Sequence, residues 1–131
     1  MVIDTSAVIA ILFGEPEALT LAKAVAVESR KLISAFNALE TGIVVEARKG
    51  ETGGRELDLL MHRAQIEIVT MNADQAELAR AAWRKYGKGN HPAGLNIGDC
   101  CAYALAIYSG EPLLFKGNDF SQTDINAAIT I

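Results

Sequence analysis

Short apolar segments alternate with helix-forming segments, and this alternation constrains the fold more than any other feature of the sequence. The segments that resemble strands are 2–5, 31–35, 66–70 and 113–116, with 127–131 as a further edge strand. The segments that resemble helices are 6–13, 17–28, 38–48, 55–64, 73–86 and 97–108, with a loop at 50–54. Short apolar strands that alternate with helices are typical of a parallel sheet covered on both faces. We therefore predict an α/β fold with three layers, α/β/α, around a mostly parallel central sheet, as one domain over residues 1–131.

The composition is that of a globular protein, with 50% hydrophobic residues and a formal net charge of -4 over 131 residues. The longest apolar run, residues 7–13, is too short to cross a bilayer and has no basic leader. We therefore expect neither a membrane span nor a signal peptide. Cys100 and Cys101 are adjacent and are the only cysteines. We expect them to be reduced and packed inside a cytoplasmic protein.

An aspartate stands where the first predicted strand ends. Asp4 follows the apolar residues Val2 and Ile3, and a new apolar run begins at Ala7. A buried charge at the end of a strand costs free energy unless it has a partner. In open α/β sheets, ligands bind beyond the carboxyl ends of the strands. Asp4 therefore occupies the position at which an active site is expected.

Three further acids are expected at the same edge of the sheet. Glu40 follows Asn37 by three residues and Asp99 follows Asn96 by three, each at a predicted helix start. This spacing also fits a capping box, in which the acid bonds the first backbone amide of the helix. Asp119 follows the last core strand, in a sequence that also fits a turn.

Four carboxylates at one edge predict a cation site. Like charges in close proximity raise each other's pKa unless a cation neutralises them. Sites made of oxygen ligands alone suit hard cations such as Mg²⁺ or Mn²⁺. Such ions commonly promote attack of water on a phosphodiester.

Cationic side chains concentrate in a segment that contains no acid between Glu77 and Asp99. The candidates for RNA contact there are Arg80, Arg84, Lys85 and Lys88, with Trp83 and Tyr86 among them. Cationic groups bind phosphates, and aromatic rings stack on bases. The alternative is a solvated helix face with both aromatic rings in the core, and for Trp83 we expect the core.

Four segments carry a resemblance to a known family. They are VIDTSA at the start, ALETGIVVEARKG, NIGDCCAYALA and PLLFKGNDFSQTD. In this order and spacing, the chain resembles the PIN-domain ribonucleases, and in particular the VapC toxins of bacterial VapBC toxin–antitoxin pairs. The resemblance covers residue 1 to about residue 124.

The resemblance implies an endoribonuclease that depends on Mg²⁺ and whose catalytic residues are Asp4, Glu40, Asp99, Asp119 and Ser6. Asp4 and Asp99 would hold the ion. Glu40 and Asp119 would bind it through water, hold a second ion or orient the attacking water. Ser6 would donate a hydrogen bond at the site, or instead cap the first helix.

Two positions of the last segment, Asn118 and Asp124, bear on the charge of the site. Many relatives have an acid where this chain has Asn118, which removes one neighbouring charge but leaves the matching Asp119 in place. Asp124 follows a threonine, as in some relatives, and is either a fifth acid of the site or a helix cap.

The resemblance also implies protein partners. A cognate VapB-type antitoxin would wrap the toxin and neutralise the acidic pocket. The toxins usually form two-fold dimers, and the apolar helical surface of residues 36–47 is a candidate interface, although core packing explains it equally well.

The same residues bear on other functions. A phosphohydrolase of the haloacid dehalogenase type needs a second acid two residues after the first, and Ser6 stands there. A receiver domain needs an aspartate at the end of the third strand, and IEIVTMN offers none. An inactive PIN-like interaction module remains the alternative from a different class, and a measurement of Mg²⁺-dependent RNA cleavage separates it from an enzyme.

Overall fold

Four parallel strands form the centre of the computed structural model, which describes residues 1–130. The strands are β1 (Val2–Ile3), β2 (Leu32–Ser34), β3 (Glu67–Val69) and β4 (Leu113–Leu114). Their order in the sheet is β3-β2-β1-β4, and all three pairings are parallel. Val2 lies opposite Leu32 on one side and Leu113 on the other. The predicted parallel sheet is confirmed.

Helices cover both faces of the sheet. Within residues 1–130 they are α1 (Thr5–Leu12), α2 (Ala18–Val27), α3 (Ala35–Arg63), α4 (Ala73–Tyr86) and α5 (Ile97–Ser109), followed by a short 3₁₀ helix at Phe120–Gln122. Successive strand residues face opposite sides, because side chains alternate along a strand. Val2 packs in a core with α4 and α5, whereas Ile3 packs in a second core with α1, α2 and α3. The three-layer prediction is therefore confirmed.

The predicted end of a helix at Gly50 is confirmed, but the predicted loop that follows it, residues 51–54, is helical. These residues belong to α3, which continues for 29 residues with a kink at Gly50, whose backbone is non-helical (φ 63°, ψ -160°). Beyond the kink the helix runs close to its own first half: a Cβ on Gly53 would lie 2.6 Å from Lys49 Cβ and 3.0 Å from Val45 Cγ1. Gly50 therefore divides α3 into two helical segments at a sharp bend, as predicted, and Gly53 permits their close approach.

The strand ends also differ from the predictions. Asp4 and Thr5 were assigned to the first strand, but Asp4 is the N-cap of α1 and Thr5 is its first residue. The edge strand predicted at 127–131 is reduced to one isolated parallel bridge between Ala127 and Leu113, and residue 131 lies outside the described residues.

The two thiols are free and buried, as predicted. Burial raises the pKa of both Cys100 and Cys101 to about 11, so the thiols stay protonated and unreactive at neutral pH. No helix in residues 1–130 combines the length and the apolar character that crossing a bilayer requires.

The strand order determines where a site can form. From β1 the chain moves through α1 and α2 to β2 on one side, and it later returns to β4 on the other side. The order thus reverses between β1 and β4, and in open α/β sheets ligands bind at such a point, beyond the carboxyl ends of the strands. Asp4 lies directly after β1 at this reversal.

Candidate active site

Asp4 is a buried carboxylate that is only partly satisfied by the protein. Its side chain is the N-cap of α1, where Oδ2 accepts hydrogen bonds from the Ser6 amide at 3.0 Å and from Ser6 Oγ at 2.6 Å. Among the described residues, its other oxygen, Oδ1, is buried and has no hydrogen-bond partner. Burial raises the pKa of Asp4 to about 7; the charges of Asp99 and Glu40 act in the same direction, and the bonds from Ser6 oppose them.

Ser6 connects the first and last strands at this edge. Its hydroxyl donates to Asp4 and accepts a hydrogen bond from the backbone amide of Lys116 at 3.0 Å, directly beyond β4. The cap of α1 is Asp4 and not Ser6, so the capping alternative for Ser6 is wrong. The side chain of Lys116 pairs with Glu15 and Glu17, away from the four acids.

Glu40 is held in place by neutral hydrogen-bond donors. Thr5 Oγ1 donates to Glu40 Oε1 at 2.6 Å, and Asn37 Nδ2 lies 3.4 Å from the same oxygen. Asn37 is fully buried inside α3 and also donates to the carbonyl of Gly98 at 3.0 Å. The residue that caps α3 is Ser34, so the capping box considered for Asn37 and Glu40 is wrong.

Gly98 leaves space for the Glu40 carboxylate. A Cβ at position 98 would overlap Glu40 Oε2 and would lie 2.6 Å from Oε1 and 2.8 Å from Cδ. The backbone at Gly98 is ordinary helix, so the close approach is the reason for glycine there. At the start of α5, Gly98 therefore leaves space for the Glu40 carboxylate, and Asp99 supplies a second carboxylate of the site.

We expect the free energy of unfolding of Gly98→Ala to be about 1 kcal/mol below that of Gly42→Ala, because the added methyl group must displace the Glu40 carboxylate from its bond with Thr5. RNA cleavage should fall as well. Gly42→Ala is the matched control: it is also helical, and an added Cβ there meets nothing within 4 Å. Denaturant unfolding of both variants measures the difference, and equal stability of the two would contradict this account of Gly98.

Asp99 serves as a helix cap and as a member of the acidic site. Its Oδ2 accepts from the Asn96 amide at 3.0 Å, and Asn96 Oδ1 accepts from the Asp99 amide at 2.9 Å, which completes a capping box at the start of α5. Partial burial raises the pKa of Asp99, the Asn96 bond opposes this, and the charges of Asp119 and Glu40 raise it further. Asp119 is exposed and does not cap the 3₁₀ helix that follows it.

The structure brings Asp99 and Glu40 near enough to Asp4 for their charges to raise its pKa, and it brings Asp119 near enough to Asp99 to act in the same way. Within residues 1–130 no group of three such side chains is arranged as a ready-made metal site, and no lysine or arginine pairs with any of the four acids. Unneutralised carboxylates repel one another, and three of the four are turned toward their own hydrogen-bond donors.

Asp124 is held outside this group. Its Oδ1 accepts from the Tyr103 hydroxyl at 2.6 Å, and this bond, with the nearby Lys85, keeps the pKa of Asp124 below its usual value. Neither Asp4 nor Asp99 is affected by its charge. Asp124 therefore fastens the last segment to α5 through Tyr103.

The basic segment divides into two parts. Arg80 and Lys88 line a cleft between α4 and α5, whereas Lys85 Nζ lies over the ring of Tyr86, 5.1 Å from its centroid. Tyr86 is buried, but Trp83 is 49% exposed, so the expectation that Trp83 packs in the core is wrong. Its indole instead packs against Gly87, where an added Cβ would lie 2.5 Å from Trp83 Cδ1.

Sequence reasoning missed the neutral residues that position Glu40. Thr41 Oγ1 donates to the Asn37 carbonyl at 2.7 Å and lies 3.3 Å from Thr5 Oγ1, and both Asn37 and Thr41 are buried. The available signal was a pair of polar residues four apart on the buried face of an amphipathic helix, where apolar side chains are expected.

Comparison with known proteins identifies the family of the chain. The family model described as the PIN domain matches residues 1–126. The chain therefore belongs to the PIN-domain family.

Its relatives define the branch of the family. Ribonuclease VapC30 of Mycobacterium tuberculosis is 58% identical over 125 residues, which are 95% of this chain and 95% of the relative. Ribonuclease VapC of Mycolicibacterium smegmatis is 58% identical over 127 residues, 97% of this chain and 98% of the relative. Within the PIN domains, the chain belongs to the VapC ribonucleases.

Solved structures share the fold at much lower identity. The VapC20 toxin of M. tuberculosis, described as cleaving the sarcin-ricin loop, superposes with a TM-score of 0.76 at 17% identity and covers 95% of both chains. A toxin–antitoxin complex from Klebsiella pneumoniae superposes with a TM-score of 0.71 at 20% identity and covers 99% of this chain and 98% of that one.

Proposed function

We propose that this protein is an endoribonuclease that hydrolyses RNA phosphodiester bonds at the carboxylate site, as the toxin of a type II toxin–antitoxin module. The observation that carries the proposal is the buried Asp4, with one unpartnered oxygen, in electrostatic contact with Asp99 and Glu40. A structural carboxylate would have been neutralised by the protein. The identity of 58% with named VapC ribonucleases supports the same reaction.

A hard divalent cation, Mg²⁺ or Mn²⁺, fits the donor set. The site offers carboxylate oxygens, including Asp4 Oδ1, which is buried and has no hydrogen-bond donor among the described residues. Such oxygens are the ligands that Mg²⁺ prefers. We propose that Asp4 and Asp99 hold the ion and that Glu40 and Asp119 act through water or a second ion. When bound, the ion would supply positive charge at the scissile phosphate and lower the pKa of a water molecule.

The other residues fix the acids in position. Ser6 orients Asp4, and because its hydroxyl also accepts from the Lys116 amide, it cannot rotate freely. Thr5 and Asn37 orient Glu40, which is placed to accept a proton or to align the attacking water. This arrangement holds the acids before the substrate arrives, which lowers the reorganisation needed in the transition state.

The direct test is cleavage of total cellular RNA by the purified chain with mapped ends, in Mg²⁺ and in EDTA. We expect discrete cuts that require Mg²⁺ and no cleavage in EDTA. Expression of the chain alone is expected to stop bacterial growth. RNA that stays intact in Mg²⁺ and in Mn²⁺, with a folded protein, would refute the nuclease and favour an interaction module.

We also propose two protein partners and a location. A VapB-like antitoxin would neutralise the acid site, since among residues 1–130 no cation pairs with the four acids. A second copy would cover the exposed face of α3, where Leu39 and Ile43 are 63% and 61% exposed. Analytical ultracentrifugation of Ile43→Glu tests the dimer, which should dissociate. The cytoplasm is the compartment that holds the RNA and keeps both free thiols reduced.

A further inference from the structure

An open apolar cleft lies between α4 and α5, beside the acid site. Its volume is about 500 Å³, which falls in the range of about 300–1,000 Å³ that is typical of small-molecule sites. On α4, the residues that face it are Ala76, Ala79, Arg80 and Trp83, which share one stripe of the helix. The cleft exists because two of these four side chains are only methyl groups.

The cleft adjoins the acids through two of its lining residues. Asn96 lines it and exchanges both capping hydrogen bonds with Asp99. Phe36 lines it and stands one helical turn before Glu40 on α3. The cleft is therefore a neighbour of the acids, separated from Asp99 by Asn96 and from Glu40 by one turn of α3.

The charges at the cleft favour a polyanion. Arg80 and Lys88 both line it and are exposed, and neither is in an ion pair with a residue of the described chain. Trp83, which lies between these two residues in the sequence, has about half of its side-chain surface exposed to solvent. An aromatic face with free cations beside it is the usual arrangement for binding single-stranded nucleic acid. A docking site for an apolar helix would not need two unpaired cations.

We propose that the α4/α5 cleft is a nucleobase subsite, in which an unpaired base next to the scissile phosphate stacks on Trp83 while Arg80 and Lys88 bind the adjoining phosphates. This inference rests on the proposed ribonuclease function and adds the requirement that the substrate is single-stranded at the cut. It also separates the basic residues: Arg80 and Lys88, which line the cleft, contact the substrate, whereas Lys85 does not line it and its Nζ lies over the ring of Tyr86.

Trp83 is the only tryptophan of the chain, so its fluorescence reports on the cleft alone. The native protein is titrated in EDTA with single-stranded oligouridylate and, separately, with an abasic oligoribose phosphate of the same length. We expect saturable quenching by the oligouridylate and little change with the abasic polymer. Equal quenching by both polymers, or none by either, would overturn the proposal.

Variants supply a second readout through the anisotropy of fluorescein-labelled oligouridylate. Trp83→Ala should raise the Kd roughly tenfold, and Trp83→Phe should restore most of the affinity. Arg80→Ala should weaken binding and lower the slope of log Kd against log salt by about one. Lys85→Ala is the matched control because it removes the same charge. It should change the Kd and the salt slope less than Arg80→Ala does. Circular dichroism and the unfolding midpoint verify the fold of each variant.

The outcomes separate this inference from the proposed function, because binding in EDTA does not require cleavage. Mg²⁺-dependent cleavage with a Trp83→Ala variant that binds and cuts like the native chain would overturn the subsite and leave the nuclease intact. Base-dependent quenching without any cleavage would support the subsite and contradict the proposed nuclease. If Trp83 responds only to a second copy of the chain or to a co-expressed protein, the cleft is a protein-docking surface and the proposal is wrong.

Discussion

Asp4→Asn is expected to abolish RNA cleavage while the protein stays folded. Asparagine has the same shape, is an equally good N-cap and can still accept the two hydrogen bonds from Ser6. It lacks the negative charge that would hold a divalent cation. We expect the rate to fall by at least about 10²–10³, the loss typical of removing one electrostatic contact to a transition state. Rates of cleavage of a labelled RNA, measured at saturating Mg²⁺, give the comparison.

The matched control is Asp58→Asn, which removes the same charge from an exposed position on α3. It should cut RNA at the native rate. The free energy of unfolding of Asp4→Asn in the absence of metal should be equal to or higher than that of the native chain, because burying a charged carboxylate is costly. Full cleavage by a folded Asp4→Asn protein would contradict the role assigned to Asp4.

The metal-free protein is expected to lose stability as the pH rises from about 4 to about 7. The pKa of Asp4 is raised from 3.8 to about 7 by burial, so the folded state holds a proton that the unfolded chain has released. This difference in pKa between the folded and unfolded states stabilises the folded protein. The stabilisation is complete below the pKa of the unfolded state and is lost as the pH rises through the pKa of the folded state. Three pKa units at 1.36 kcal/mol each give an upper limit of about 4 kcal/mol. Asp99, whose pKa is also raised, acts with the same sign.

Urea unfolding in EDTA at about pH 5 and about pH 8 measures this effect. Asp4→Asn should remove most of the pH dependence, and Mg²⁺ should restore stability at the higher pH by binding the charged acids. The lowered pKa of Asp124 has the opposite sign but acts below 3.8, outside this window. An identical pH dependence in native protein and in Asp4→Asn would show that Asp4 is not the group that titrates.

The layered architecture could be predicted because it follows from hydrophobic patterning alone. Apolar segments such as residues 31–35 and 113–116 are too short for helices and are flanked by helical patterns, which leaves few alternatives to a parallel sheet. The position of Asp4 at the edge of that sheet followed from the same rule, since the residue after a parallel strand always lies at its carboxyl end.

Features that depend on contacts between distant segments could not be predicted. Gly53 and Gly54 have the local chemistry of a loop, yet they are helical, and Gly53 packs closely against Val45 and Lys49 across the kink at Gly50. The Asn37 amide has the spacing of a cap, yet its partner Gly98 lies 61 residues away in the sequence. The sequence predicts a buried Trp83 because large apolar residues are usually buried, but its exposure depends on how α4 packs against α5, which no local pattern shows.

The central position of β1 affects how the protein is made. β1 pairs with β2 on one side and with β4 on the other, and the Ser6 hydroxyl beside Asp4 is satisfied only once Lys116 has arrived. The four acids also come from four separate stretches of the chain, the last of them after β4. During translation, no complete carboxylate site exists until this late segment has left the ribosome and docked. The completeness of the carboxylate site thus depends on the last part of the chain to be made.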